Sequence, residues 1–203
     1  MKKSLLVNVY GAPGSGKSTL ALGLAYYLKR DRLDVDLASE YAKELTYDER
    51  WNTLKDQIHI FAEQRARIER LLPHCDVVVT DCPVLLGALY YPELFPDSFR
   101  DLMRWSVEEH DTLNLFLERA HPYSTHGRRQ SEGESDVISQ EMKSFLDKSG
   151  VKYHVLKGDD AGLEQARGLV RARLDATAQR DFFSEWDCAA CEPDPCHCAN
   201  IGC

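Results

Sequence analysis

Glycines, a lysine and hydroxyl residues near the N-terminus have the types and spacing of a phosphate-binding loop. The segment reads Gly11-Ala12-Pro13-Gly14-Ser15-Gly16-Lys17-Ser18-Thr19. Glycines let the backbone curl so that successive amides point at phosphate oxygens, and the N-terminus of a following helix adds partial positive charge. In such a loop the lysine reaches the β- and γ-phosphates and the serine hydroxyl holds Mg²⁺. We therefore predict that residues 11–19 bind Mg²⁺-ATP, with Thr19 near the α-phosphate.

A carboxylate follows an apolar run at Asp81. The run Val77-Val78-Val79-Thr80 is short, continuous and β-branched, which is typical of a buried strand. Phosphate-transferring proteins place at such a strand end the carboxylate that orients Mg²⁺ or its water. An ordinary turn with Pro83 is the alternative, and the nearby phosphate loop favours the metal role. Ser18 and Asp81 are thus the predicted metal ligands.

A second carboxylate, Glu40, follows the predicted strand Val35–Ser39. This crevice would face a phosphoryl acceptor, so the carboxylate there could take the proton of an attacking hydroxyl. Glu40 could equally be an acid that caps a helix. We predict that it acts with Lys17 and Asp81 in catalysis.

Arginines are concentrated after the fourth predicted strand. Arg119 follows the strand, and Arg128 and Arg129 stand beside Gly127. Arginines on a mobile segment can close over a transferring phosphoryl group, neutralise its charge and exclude water. We predict such a flap at 127–134. Arg119, ahead of it, and Arg128, within it, are the predicted catalytic cations.

Candidates for the acceptor pocket are polar and aromatic. Gln57, Gln64 and Arg65 lie on a predicted amphipathic helix, where a solvated face is the favoured interpretation and a pocket lining the alternative. Tyr90 and Tyr91 could stack on a base or belong to the core.

Alternating strands and helices must position these residues. The predicted strands are 5–10, 35–39, 77–80, 113–117 and 153–156, and the predicted helices are 17–30, 53–72, 96–109, 135–149 and 161–176. This alternation indicates an α/β, P-loop NTPase fold with a five-stranded parallel sheet and helices on both faces. Ligands bind such sheets at the carboxyl ends of the strands, where Gly11, Glu40, Asp81 and Arg119 all fall.

Composition narrows the class of protein. The chain has 203 residues, 43% hydrophobic and 29% charged, with a formal net charge of -8. That charge disfavours non-specific wrapping of nucleic acid, although a local basic groove stays compatible with it. The longest apolar runs fall short of the ~20 residues of a membrane span, and Leu5–Tyr10 leads into the phosphate loop rather than a cleavage site. We expect a cytoplasmic protein.

The C-terminal residues differ in composition from the rest. We predict a kinase domain at 1–178 and a cysteine-rich tail at 179–203. The tail holds Cys188, Cys191, Cys196, Cys198 and Cys203, enough ligands for one Zn²⁺. The spacing does not match two separated cysteine pairs. A reduced tail without a structural metal is therefore favoured, and zinc is the alternative.

Together these segments resemble a group of phage-encoded P-loop kinases. The group is similar to thymidylate kinases and to the nicotinamide riboside kinase type of AAA-like ATPase. The matching segments are 11–25, 40–43, 76–86 and 123–136, within a resemblance over about residues 4–175.

Some members are similar to 5-hydroxymethyluracil DNA kinases. The resemblance implies phosphorylation of that base in phage DNA, in a host cytoplasm, or else of a free nucleoside or nucleotide. A nucleotide-switch ATPase and a nucleotide-binding scaffold without turnover are the competing classes.

Overall fold

The apolar runs form a parallel sheet. The computed structural model describes residues 4–90, 96–124 and 131–185. Its strands are β1 (Leu5–Tyr10), β2 (Val35–Ala38), β3 (Val77–Thr80), β4 (Asp111–Glu118) and β5 (His154–Lys157). They form one five-stranded sheet in the order β2-β3-β1-β4-β5, with every pairing parallel. The predicted α/β class and five-stranded parallel sheet are confirmed.

Helices connect the strands and cover both faces of the sheet. They are α1 (Lys17–Arg30), α2 (Tyr41–Tyr47), α3 (Trp51–Lys55), α4 (Gln57–Leu71), α5 (Gly87–Tyr90), α6 (Asp97–Glu108), α7 (Glu132–Lys148) and α8 (Asp160–Glu185). Short 3₁₀ helices lie at Leu72–His74 and Val84–Leu86. Every residue of β1 and β3 is buried, as expected for strands covered on both faces.

The single helix predicted at 53–72 is wrong. Two helices, α3 and α4, occupy this range instead, and α2 precedes them, so that three helices lie within 41–71. Asp56 separates the last two, because its side chain accepts a hydrogen bond from the backbone N–H of His59 and so caps α4. A capping residue inside an otherwise helical pattern starts a new helix.

Helix α7 begins earlier than predicted. Ser131 accepts a hydrogen bond from the Glu134 N–H, and the Glu134 carboxylate accepts one from the Ser131 N–H, which together make a capping box. Residues 132–134 are therefore helical, although the predicted flap included them.

Strand register aligns the carboxyl ends of the strands. Residue Asn8 lies opposite Thr80, and Ala38 also lies opposite Thr80. The residues that follow β1, β2 and β3 therefore emerge at one edge of the sheet. That edge carries the phosphate loop, Glu40 and Asp81.

The chain divides into two compact units, Met1–Val170 and Arg171–Cys203. The first contains the sheet, and the described part of the second is the C-terminal portion of α8, which extends to Glu185. The boundary predicted at 178 stays a prediction, and the tail cysteines lie outside the described residues. Among the described residues, no helix is both long and apolar enough to cross a membrane.

Candidate active site

The loop after β1 has the backbone geometry that its glycines allow. Gly11, Gly14 and Gly16 have φ values of 149°, 86° and 96°, which disfavour other residues. A Cβ at Gly11 would lie 2.8 Å from the carbonyl oxygen of Leu117, so a side chain has no room there. The loop is thus a tight turn immediately before α1.

The ammonium of Lys17 is held at this loop. Its Nζ donates to the carbonyl oxygens of Gly11 and Ala12 at 2.8 and 3.1 Å. The Ser135 hydroxyl of α7 donates to the carbonyl of Pro13 at 2.7 Å, which fixes the far side of the loop. The Lys17 ammonium and the Ser135 hydroxyl therefore both hold the loop through its carbonyl oxygens.

Ser18 and Asp81 are in direct contact. The Ser18 hydroxyl donates to Asp81 Oδ2 at 2.5 Å. A hydroxyl and a carboxylate side by side are the hard oxygen donors that Mg²⁺ takes alongside phosphate oxygens and water. This pair fits the predicted ion, with both side chains half-buried.

Glu40 is the N-cap residue of α2, yet its side chain makes no capping hydrogen bond. Burial raises the pKa of its carboxyl, the nearby Lys17 ammonium opposes that rise, and the Asp81 carboxylate adds to it. A capping role is therefore not what its side chain performs. The carboxyl belongs electrostatically to the site of Lys17 and Asp81.

The interpretation of Gln57 and Gln64 as solvated residues is wrong. Both side chains are buried, at 6% and 1% exposure. Gln57 donates to the carbonyl of Leu54, whereas Gln64 bonds to the backbone on both sides of Glu40. Arg65 pairs with Glu69 on its own helix, away from that backbone.

A pocket of about 250 Å³ opens beside the two carboxylates. Helix α1, β2 and α2 provide its walls. Its lining residues are Ser18, Ala21, Leu22, Leu37, Ala38, Ser39, Glu40, Lys43, Glu44, Tyr47 and Asp81. They include three carboxylates and one ammonium, and the Glu44 carboxylate is paired with the Arg67 guanidinium.

Of the predicted catalytic arginines, only Arg119 lies among the described residues. Arg119 donates to Asp136 at 2.6 Å and pairs with Glu132 at 3.1 Å, both on α7, and its guanidinium lies over the Tyr123 ring. Its role toward a phosphoryl group stays a prediction. Arg128 and Arg129 lie outside the described residues, as does Tyr91.

Sequence reasoning missed two residues next to the site. Gly158 follows β5, and a Cβ there would lie 2.4 Å from the carbonyl oxygen of Ser15 in the phosphate loop. His121 is the other, since its Nε2 would lie 3.4 Å from a Cβ at Gly16. For Gly158, a glycine at the end of a predicted strand was a usable sequence signal. For His121, the sequence offered no such signal.

Within 4–90, 96–124 and 131–185, no three His, Cys, Asp or Glu side chains cluster as a metal site would require. The zinc alternative concerned the tail, so it is unaffected. Cys75 and Cys82 are free thiols.

Solved structures share this fold. A NadR protein in complex with NAD and AMP-PNP has a TM-score of 0.62 at 22% identity, over 83% of this chain and 49% of that chain. A NadR protein in complex with NR has a TM-score of 0.58 at 23% identity, over 75% and 45%. Thymidylate kinase from Ehrlichia chaffeensis has a TM-score of 0.53 at 18% identity, over 76% and 87%. The chain spans about half the length of the NadR chains, and the predicted P-loop NTPase fold is confirmed.

Family membership rests on a match to most of the chain. Among curated proteins, none matches it. The family model described as an AAA domain matches residues 6–161. That range contains the phosphate loop, Glu40, Asp81 and all five strands except the first residue of β1. The chain belongs to the AAA domain family.

Proposed function

We propose that this protein is a kinase that transfers the γ-phosphate of ATP to a hydroxyl of a nucleoside-type acceptor. The observation that carries the proposal is the contact between the Ser18 hydroxyl and Asp81 at 2.5 Å, beside Lys17 and Glu40. These four side chains supply a metal site, a phosphate-binding cation and a proton acceptor at one sheet edge. The solved NadR complex with AMP-PNP, an ATP analogue, supports the donor assignment.

The donor end of the site consists of the loop and its two flanking contacts. Residues 11–19 would hold the phosphates, and Ser18 and Asp81 would hold Mg²⁺. Mg²⁺-ATP supplies the phosphoryl group and the metal charge that stabilises its transfer. Lys17 neutralises negative charge near its present carbonyl partners, and the loop amides orient the phosphates.

Glu40 is the proposed proton acceptor. Glu40 is half-buried, and loss of solvent raises the pKa of its carboxyl, so the carboxylate binds a proton more readily than an exposed glutamate does. We assign it the proton of the attacking hydroxyl. In this assignment Asp81 keeps the metal, so the two carboxylates have separate tasks.

Closure of the site is assigned to the arginines. Arg119, Arg128 and Arg129 would approach the γ-phosphate and exclude water. Arg119 is tied to α7, the helix that also contacts the phosphate loop through Ser135. This shared helix couples the proposed closure to the loop.

The first acceptor to test is the hydroxymethyl group of 5-hydroxymethyluracil in DNA, on the strength of the family resemblance. An extruded base would present a neutral hydroxymethyl group while its phosphates stay outside the pocket. A free nucleoside or nucleotide is the second candidate.

The test is phosphoryl transfer from γ-labelled ATP. The full chain is incubated with duplex DNA containing 5-hydroxymethyluracil, with free nucleosides including nicotinamide riboside, and with thymidylate. We expect label on a DNA or nucleoside acceptor, and none with Lys17→Ala. Lys29→Ala, an exposed lysine on the same helix, is the matched control and should keep full transfer.

Two outcomes would contradict the kinase. Brisk ATP hydrolysis with no labelled acceptor would favour the nucleotide-switch ATPase instead. Binding of ATP without hydrolysis or transfer would favour the scaffold.

A further inference from the structure

One side chain bonds to the backbone on both sides of Glu40. Gln64 is on α4 and only 1% exposed. Its Oε1 accepts from the Tyr41 N–H at 3.0 Å, and its Nε2 donates to the Ser39 carbonyl at 3.2 Å. The same Nε2 lies 3.5 Å from the Thr80 hydroxyl. A single amide thus reaches the two neighbours of Glu40 and the residue before Asp81.

One of these bonds satisfies a backbone donor at the start of α2. The first backbone N–H groups of a helix need acceptors, and an N-cap side chain usually provides one. Glu40 occupies the N-cap position of α2 and makes no such bond. Gln64 accepts from the first N–H of α2, that of Tyr41, so a side chain of α4 satisfies this backbone donor.

The Thr80 hydroxyl extends this arrangement to the second carboxylate. It donates to the Ala38 carbonyl at 3.0 Å and accepts from the Cys82 N–H at 3.2 Å. Asp81 lies between Thr80 and Cys82, so its backbone is fixed on both sides. The β2 and β3 ends are therefore joined through hydrogen bonds that meet at one glutamine.

We propose that Gln64 is a positioning residue: it accepts from the first N–H of α2 and holds the Glu40 and Asp81 strand ends in register. The positioning stands on the hydrogen bonds alone, whereas its consequence for turnover rests on the proposed kinase function. Gln64 touches neither phosphate nor acceptor in this assignment. It acts on the reaction through the backbone of residues 39–41.

The first test replaces the amide by an apolar group of similar size. In Gln64→Leu, the Tyr41 N–H loses its acceptor, and its hydrogen exchange measured by NMR should accelerate about tenfold. Gln57→Leu is the matched control, because Gln57 is a buried glutamine on the same helix whose side chain bonds to Leu54. It should leave the Tyr41 exchange rate unchanged.

Kinetics separate positioning from general destabilisation. Misplacing a reacting group lowers kcat without weakening a distant binding step, so Gln64→Leu should lower kcat about 10- to 100-fold. The KM for ATP should rise by less than kcat falls, because the Thr80 bonds to Ala38 and Cys82 still hold the backbone around Asp81. Equal losses of ATP binding and turnover would overturn the proposal.

Gln64→Glu provides a variant that keeps half of the arrangement. Its carboxylate can accept from the Tyr41 N–H but cannot donate to the Ser39 carbonyl. The Tyr41 exchange rate should therefore stay close to that of the wild type, while kcat still falls. If Gln64→Leu fails to fold, Gln64→Glu alone tests the proposal. A kcat equal to that of the wild type in Gln64→Glu would then overturn it.

Failure of the kinase assignment would look different. A wild-type protein that transfers no phosphate, combined with faster Tyr41 exchange in Gln64→Leu, would remove the proposed function and leave the positioning intact. Unchanged Tyr41 exchange in a folded Gln64→Leu variant would overturn the positioning, whatever the turnover.

Discussion

At Glu40, burial and three neighbouring charges, those of Lys17, Asp81 and Lys43, act on one carboxyl group. Burial raises its pKa, and the Lys17 ammonium only partly opposes that rise. The ionised form is therefore held in the folded protein at some cost in stability. In the proposed kinase, such a carboxylate gains energy when it takes the proton of the attacking hydroxyl.

Turnover should therefore depend on this carboxylate. Glu40→Gln should lower kcat about 10²- to 10⁴-fold, the usual contribution of a general base. The wild type should lose activity as pH falls through the raised pKa, so its acid limb lies above that of an ordinary glutamate. A pH profile of kcat measures both effects.

Glu63→Gln is the control for this substitution, since Glu63 is exposed on α4. Its profile should match that of the wild type. A Glu40→Gln variant that retained full kcat would exclude the assigned proton transfer.

Although Glu40→Gln should lower kcat, it should raise the stability of the folded protein. An acid with a raised pKa in the folded state contributes stability below its unfolded pKa, and this is lost as pH rises through the folded pKa. Glu40→Gln should therefore raise Tm at pH 7.5 and raise it less below the ordinary glutamate pKa. Thermal unfolding at the two pH values tests this, and a lower Tm at pH 7.5 would contradict it.

Individual residues differed in how far the sequence revealed them. The phosphate loop is a continuous motif whose spacing carries its chemistry, and Asp81 directly follows an apolar strand. Gln57 and Gln64 lie two turns apart on one helix face, yet they have different partners. Only the packing of α4 against the β2 end distinguishes them, and no local pattern encodes that packing.

Among the elements, the start of α4 depends on a single cap. Asp56 accepts from the His59 N–H at 3.1 Å. Asp56→Ala should lower the free energy of unfolding by about 1 kcal/mol, because an N–H at the helix start loses its acceptor. Urea denaturation measures the change.

Asp56→Asn is the matched variant, since its amide oxygen can still accept the hydrogen bond. It should stay close to the wild type in stability. Equal losses in both variants would show that the charge, rather than the cap, matters at this position.

The division into α2, α3 and α4 was not predictable from glycine or proline, because residues 41–71 contain neither. The turn after α2 instead uses Glu49 in the left-handed region, with φ of 54°. A non-glycine residue in that conformation leaves no clear local signal. Strand positions were predicted better, since buried β-branched runs have few alternatives in an α/β pattern.

At the scale of the whole molecule, the sheet order places the central strand β1 and its loop near the ends of β4 and β5. Gly158 after β5 approaches the loop at the Ser15 carbonyl, and its own N–H donates to the Glu118 carbonyl at 2.8 Å. The phosphate loop is thus bounded by a strand that is not its neighbour in the sheet. The alternation of strands and helices in the sequence predicted where the strands lie. The contact of Gly158 with the phosphate loop depends instead on the order of the strands in the sheet.

Gly158→Ala should therefore weaken nucleotide binding. Its Cβ would meet loop and β4 backbone, which cannot move as a side chain can, so the loop must shift. We expect the Kd for ATP, measured by calorimetry, to rise about tenfold.

Gly168→Ala is the matched control, because a Cβ there meets nothing within 4 Å. It lies inside α8 and should leave the Kd for ATP unchanged while stabilising the protein by about 0.5–1 kcal/mol. An unchanged Kd in Gly158→Ala would mean that the loop tolerates the shift.

The hydrogen bond between Gln64 and Tyr41 also joins points 23 residues apart in the chain. The segment between Tyr41 and Gln64 leads away from the site and back to it, and it includes an exposed turn at residues 48–50. Lengthening or shortening that turn would change the outer wall of the pocket while its anchor stays tied. Under the proposed function, exchange of this segment, by selection or by an engineer, would alter acceptor choice without rebuilding the carboxylates.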